Sequence, residues 1–163
     1  MPTEGQFPEP LVGAIWSMWG QAERKPRMRM IGNSMSPFIN EDDILLIDPK
    51  PKTIRIGDVV IYRREGKCIA HRVVGIKKSK PKKLLLLKGD NVFGSDPPVP
   101  GEMVIGKVLG KENASNKTDY TTMRWLVLNP IMAVVSMLVG RSHIFYRIFR
   151  RLCRLLLRGL PKL

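Results

Sequence analysis

A serine, a histidine and two aspartates stand in settings that suit acyl-transfer chemistry. Ser34 lies in Gly32-Asn33-Ser34-Met35-Ser36-Pro37, where small residues and a proline break a strand-like run. A nucleophilic serine needs such a place, because its hydroxyl must project from a turn and its own backbone N–H can help to bind an oxyanion. A serine in a Gly/Pro turn is more usually a turn residue and nothing else. The base has to come from elsewhere in the chain. Of the two histidines, His71 falls in a β-patterned region and His143 among the basic residues near the end. In Cys68-Ile69-Ala70-His71-Arg72-Val73-Val74, strand alternation puts His71 on the face of Ile69 and Val73. On that apolar face an imidazole is either a core histidine satisfied by backbone groups or a catalytic base. Asp90 and Asp96 both lie in Lys88-Gly89-Asp90-Asn91-Val92-Phe93-Gly94-Ser95-Asp96-Pro97. In a loop of this kind a carboxylate can accept an imidazole N–H and fix its tautomer, or bond its own loop backbone.

The elements that must position these groups read as β-structure. From about Arg27 to Gly110, short apolar runs alternate with Gly, Pro, Asp and Lys. The strands expected there are Met28–Ile31, Ile44–Ile47, Asp58–Tyr62, Cys68–Ile76, Leu84–Lys88 and Met103–Leu109. Turn signals such as Asp48-Pro49, Arg64-Glu65-Gly66 and Pro97-Pro98 fit antiparallel pairing rather than βαβ repeats. Lys77–Lys83, which contains Pro81, reads as an exposed hairpin loop. The expected organisation is an N-terminal segment over 1–24 with a short apolar helix, a β-rich domain over 25–110, a polar linker over 111–121 and a helical tail over 122–163.

Composition narrows the partners. The chain has 163 residues, with 28 Lys and Arg against 14 acidic residues, a net charge of +14 that favours anionic partners. The charge concentrates in the tail: from Arg141 onward there are seven Arg or Lys and no carboxylate. Arg147, Arg151, Arg154 and Arg158 recur at helical spacing, with Phe145, Ile148, Phe149, Leu152, Leu155 and Leu156 on the opposite side. Such a helix can lie in an anionic membrane interface, its guanidinium groups on lipid phosphates, or dock its apolar stripe on the domain or on a partner. Arg147, Arg151, Arg154, Arg158, Phe145 and Phe149 are the candidate membrane contacts, and a membrane-associated location is expected, with the side of the membrane open. Trp125–Gly140 is apolar apart from Asn129 and Ser136, and at sixteen residues reads as a buried helix, an interfacial segment or a marginal span. No N-terminal secretory signal is expected, since the run Leu11–Trp19 is short, broken by Gly13 and Ser17, and preceded by acidic residues. Trp16 and Trp19 could pack on the domain or meet a membrane interface. Cys68 and Cys153 lie in regions of different character and show no metal-ligand spacing, so neither a disulfide framework nor a metal or organic cofactor is expected.

Taken together the motifs become specific. Ser34-Met35-x-Pro37, then Gly57-Asp58-Val59-Val60, then His71-Arg72-Val73, then Gly89-Asp90-Asn91 with Asp96 six positions beyond Asp90, resemble the signal peptidase I superfamily. The likeness is strongest to its archaeal and endoplasmic-reticulum branch, in which histidine stands where the common bacterial enzymes have lysine. It covers roughly residues 28–110. The resemblance implies a mainly β, antiparallel signal-peptidase or repressor-peptidase fold, with a short N-terminal helix and a helical tail. It also implies cleavage of an exported polypeptide after small residues. Ser34 would be the nucleophile, His71 the base, Asp96 the first choice for orienting His71, and Asp90 a second, supporting acid. The pattern departs from the family at three places: Glu41-Asp42-Asp43 stands where Gly-Asp is usual, Val92 where a second Asn is common, and no N-terminal transmembrane helix is expected from residues 1–24.

Two other functions compete. A self-cleaving repressor-type peptidase would explain the basic charge through DNA, but the thirty-three residues before Ser34 are few for a helix-turn-helix domain and the lysine position holds His71; nucleic acid is therefore not the expected partner. A non-catalytic membrane- or nucleic-acid-binding module would have no reason to keep Ser34, His71, Asp90 and Asp96 together. The expected partners are a polypeptide precursor and an anionic membrane surface, with partner subunits left open.

Overall fold

A computed structural model of the chain describes residues 25–78, 83–114 and 116–139, with Ala14, Met18 and Arg151 as isolated, exposed helical positions. The described residues form an antiparallel sheet of β1 (Arg27–Arg29), β2 (Ile44–Asp48), β3 (Val59–Arg64), β4 (Lys67–Lys78), β5 (Lys83–Lys88), β6 (Val99–Pro100), β7 (Val104–Glu112) and β8 (Lys117–Asp119). A 3-10 turn at Gly101–Met103 precedes β7, and one helix, α1 (Met123–Val139), follows β8. The strand order is β1-β2-β7-β3-β4-β5-β6, with β8 also paired to β7. The mainly β, antiparallel class with a C-terminal helix is thus the observed one.

Both faces of the sheet are covered, and this explains why Val59-Val60-Ile61-Tyr62 is apolar throughout instead of alternating. On one side Val59, Ile61 and Ala70 join Leu45, Ile47, Val108, Met35, Phe38, Ile39 and Trp125 in one core. On the other, Val60, Tyr62, Val73, Leu85, Leu87 and Val99 form a second, with Ile69 packed against it. Each fully buried aliphatic side chain of this kind contributes about 1.5–3 kcal/mol. His71 sits in register opposite Val60, on the face of the second core, as the alternation of Ile69, His71 and Val73 requires. Arg72 points the other way.

Helix α1 starts where the Thr122 carbonyl accepts the N–H groups of Trp125 and Leu126, at 2.9 and 3.1 Å. It buries Trp125, Met132, Ala133 and Ser136 and leaves Met123, Val127, Ile131, Val134 and Leu138 exposed in a line at helical spacing. No described helix is long and apolar enough to cross a membrane. The helix reaches the sheet at Gly57, whose φ is +97°; a Cβ there would stand 2.3 Å from the Asn129 carbonyl carbon. Glycine is required twice over, by the dihedral and by the approach of the helix backbone.

The six expected strands are present with small shifts of their ends. Two short strands carry no apolar signal and were not expected. Lys117–Asp119, inside the stretch read as a polar linker, pairs with Gly110–Glu112, and Val99–Pro100 pairs with Leu84 and Leu85. The outer residues of the lysine-rich run belong to strand ends, β4 closing at Lys78 and β5 opening at Lys83. The expected N-terminal helix, with Trp16 and Trp19, lies outside the described residues except for Ala14 and Met18.

Candidate active site

Ser34 is carried on a loop anchored at both flanks. Upstream, Gly32 turns the chain out of the strand at φ +82°. Downstream, Met35, Phe38 and Ile39 are buried in the first core, and the Ser36 and Ile39 N–H groups donate to the Asn33 and Met35 carbonyls, each at 3.1 Å. The far end is fastened by Asp43, whose buried carboxylate accepts from the Asn40 N–H, Lys111 and Asn113. Burial works to raise the Asp43 pKa, but the Lys111, Asn40 and Asn113 bonds outweigh it and hold the carboxyl below its usual value. The residue before it, Asp42, stands where the family's glycine is expected and adopts the left-handed φ of +69°. Aspartate is one of the few side chains that tolerate that region, and Arg29 holds its carboxylate through Nε and Nη2 at 2.9 and 2.7 Å.

The loop after β5 clamps the serine loop from the other side. The Asn91 N–H donates to the Ser34 carbonyl at 2.8 Å, and the Asn91 side-chain amide donates to the Asn33 carbonyl at 3.0 Å. Gly89 fills the space between the serine backbone and the histidine ring: a Cβ on it would stand 2.8 Å from the Ser34 carbonyl oxygen and 2.9 Å from His71 Nε2. Only a residue without a side chain lets these two groups approach one point.

The opposite edge of the imidazole is tied to Asp96. His71 Nδ1 and Asp96 Oδ2 are 2.5 Å apart, with both side chains mostly buried, and the Asp96 N–H donates to the Leu87 carbonyl at 2.9 Å. Burial tends to raise the Asp96 pKa, but the His71 bond and charge, the Tyr62 hydroxyl and the Arg64 charge bring it below the usual carboxylate value. The carboxylate therefore stays ionised beside the ring and favours the tautomer with the proton on Nδ1, which leaves Nε2 as the acceptor on the Ser34 side.

Asp90 faces away from the imidazole. It is wholly buried and grips Arg72, accepting Nε at 2.9 Å and Nη2 at 2.6 Å on its two oxygens. Arg72 Nη1 donates to the Gly57 carbonyl at 2.8 Å, and its guanidinium lies 5.8 Å from the centroid of the Phe38 ring. Burial opposes the Arg72 charge, and Asp90 more than restores it, so the guanidinium pKa is raised. Ion pair and ring together join β4, the Gly57 turn, the serine loop and the loop after β5. Next to Asp90, Lys88 is also buried. Its ammonium donates to the Gly89 carbonyl at 3.0 Å and to Ser136 Oγ of α1 at 3.3 Å, and burial pulls its pKa below the ordinary lysine value.

Sequence reasoning named Ser34, His71, Asp90 and Asp96; the structure ties His71 to Asp96, brings the Ser34 backbone near the far side of the imidazole, and sets Asp90 to brace Arg72 behind it. It overlooked Arg72, Lys88, Gly57 and Gly89 as packing determinants. Arg72 carried a signal, since it interrupts the apolar middle of β4, whereas Lys88 closes β5 as an ordinary strand end does. Of the membrane-contact candidates, Arg147, Arg154, Arg158, Phe145 and Phe149 lie outside the described residues, and Arg151 is exposed. Among the described residues, no group of His, Cys, Asp and Glu is placed to hold a metal ion.

A family model described as Peptidase S24-like matches residues 15–109. The signal peptidase complex catalytic subunit SEC11 of Lodderomyces elongisporus is 38% identical over 122 residues, covering 74% of this chain and 69% of that protein. The subunits of the same name from Yarrowia lipolytica, 38% identical, and Zygosaccharomyces rouxii, 37% identical, match over 40% and 49% of this chain. In those two the matched region spans only 40% and 50% of the relative's own length. By the family model over residues 15–109 and the 38% identity over 74% of its length, the chain belongs to the peptidase superfamily that includes the S24-like and signal peptidase I families.

Proposed function

We propose that the chain is a serine endopeptidase of the signal-peptidase type that cleaves an exported or peptide precursor after small residues. The observation that carries this reading is the setting of His71, with one ring nitrogen bonded to Asp96 at 2.5 Å and the other facing the Ser34 backbone across Gly89. In the proposed reaction His71 Nε2 takes the Ser34 hydroxyl proton as Oγ attacks the scissile carbonyl, and the oxyanion is held by the Ser34 N–H. His71 then gives the proton to the leaving amine as the C–N bond breaks and an acyl-Ser34 ester remains. Water, deprotonated by the same nitrogen, attacks the ester, and the proton returns to Ser34 Oγ as the acid product leaves. Asp96 stays ionised and steadies the imidazolium. Asp90 has a supporting part, holding the loop through Arg72.

The work is proposed to take place at a membrane, in the company of partner subunits. The outward line of Met123, Val127, Ile131, Val134 and Leu138 on α1 offers an apolar surface, and the basic tail offers charge for anionic lipid. The relatives' names describe them as subunits of a complex. The test is to incubate the full chain with a panel of candidate precursors and read cleavage sites by mass, beside Ser34→Ala. Cleavage after small residues by the parent and none by the variant is expected; equal cleavage by both would refute the reading, and a product set from the chain itself would favour self-cleavage.

A further inference from the structure

Behind Asp96 stands a second pair of groups to which the reaction scheme gives no part. Tyr62 and Arg64 alternate along β3 and share the face that carries His71 on β4, Val60 and His71 being paired in register. The Tyr62 ring is fully buried, 6.2 Å from the His71 ring between centroids. Its hydroxyl completes no hydrogen bond of good geometry, although it is near enough to Asp96 and Arg64 to feel both charges. A buried hydroxyl left unbonded costs about 1–3 kcal/mol, so a short movement toward an acceptor is favoured. Asp96, with which the hydroxyl already interacts, is an acceptor within its reach, and Asp96 Oδ2 is engaged by His71. The other carboxylate oxygen, Oδ1, lies 3.9 Å from Arg64 Nη1. Arg64 reaches in from the surface, its Nε held by Glu65 at 3.2 Å. Burial first, then Asp96, pushes the Tyr62 pKa well above that of an ordinary tyrosine, so it keeps its proton and can only serve as donor beside the carboxylate.

We propose that Tyr62 and Arg64 are positioning residues for the His71–Asp96 pair, the tyrosine hydroxyl closing on Asp96 and Arg64 moderating its negative charge. The inference rests on the peptidase reading of Ser34 and His71. The groups facing Asp96 are His71 from β4, Tyr62 and Arg64 from β3, and the Leu87 carbonyl of β5, which takes the Asp96 N–H. A donor and a cation on Asp96 share its charge with the imidazole, so removing either leaves more charge to stabilise the imidazolium. The ring should then bind its proton at higher pH.

The experiment uses two readouts in the full chain. The first is the pH at which the His71 ring titrates, followed by NMR through its carbon-bound protons in a Ser34→Ala background, where no catalysis is needed. The second is the acidic limb of kcat/KM in the chain that retains Ser34. Tyr62→Phe, which keeps the ring and its packing, and Arg64→Gln, on a half-exposed side chain, should each raise the titration by roughly half a pH unit and move the acidic limb the same way. Tyr62→Phe should also lower kcat/KM about tenfold, the size of one hydrogen bond to a charged group. Asp96→Asn, which removes the charge itself, should move the ring titration down. Unchanged titration in Tyr62→Phe and Arg64→Gln while Asp96→Asn moves it would overturn the proposal. If the ring responds as described but no precursor is ever cut, the positioning inference stands and the peptidase reading fails.

Discussion

Asp90 and Asp96 lie six residues apart in one loop, and the structure gives them opposite consequences when each is changed to asparagine. Asp90→Asn keeps the shape of the side chain but leaves the Arg72 guanidinium, 2% exposed, without its counter-ion. Breaking a buried pair from one side costs about 3–5 kcal/mol, because the remaining charge is neither solvated nor compensated. A chain of this size loses roughly 2–4 °C of melting temperature per kcal/mol, so Asp90→Asn should melt on the order of 10–15 °C below the parent. Asp96→Asn touches a pair at the rim of the second core. It removes a carboxylate whose pKa burial raises and which His71, more than any other group, brings back below the usual value. Its effect should fall on the rate, about 10⁴-fold in kcat through the wrong imidazole tautomer, with a small change in melting. Circular-dichroism melts and kcat on one peptide substrate, measured for both variants at a temperature where both are folded, decide the matter. An Asp90→Asn chain that melts with the parent, or an Asp96→Asn chain that cleaves at the parental rate, would refute the division of labour.

Other changes follow from the same contacts. Gly57→Ala places a methyl 2.3 Å from the α1 backbone at a φ of +97° and should cost more than ~3 kcal/mol, seen as a large loss of melting temperature. Gly89→Ala instead intrudes between the Ser34 carbonyl and His71 Nε2 and should lower kcat by about 10² through misplacement, with a melting temperature closer to the parent's. Asp42→Gly relieves the strain of a left-handed φ, about 1 kcal/mol, and gives up an exposed pair with Arg29 worth no more than about 1 kcal/mol. It should melt at or near the parental temperature, whereas Asp42→Val should melt clearly lower. Lys88 binds its proton less tightly folded than unfolded, because burial lowers its pKa below 10.5. Its contribution to stability therefore grows as pH rises from the lowered value toward 10.5. Lys88→Met should remove that component, read as the difference between the two melting-temperature profiles across alkaline pH.

The parts of this molecule that were legible in the sequence are those written in short-range pattern. Ile69, His71 and Val73 alternate, so the face of the histidine followed from strand geometry, and the runs at 44–47, 58–62 and 84–88 announced their strands through apolar residues bounded by turns. By their surroundings the two aspartates were indistinguishable, since both sit in turn-forming sequence, and only the family resemblance put Asp96 first. What separates them is the partner each meets across the fold, Arg72 or His71, and that depends on which face of β4 each loop segment covers. Lys117–Asp119 escaped because a three-residue polar strand gains its stability from the β7 backbone and has no hydrophobic period to read. Gly57 was readable as part of a motif, but its reason, the passage of α1 over its Cα, lies more than seventy residues away in the chain.

The central claim is that Ser34 Oγ is a nucleophile made reactive by His71. The most direct measurement is covalent labelling with a serine-directed phosphonate probe at neutral pH, the modified residue located by peptide mass, in the parent, Ser34→Ala and His71→Ala. The account predicts one adduct, on Ser34, in the parent and none at comparable rate in either variant. Labelling of Ser34 that persists undiminished in His71→Ala, or an adduct confined to another serine, would contradict it.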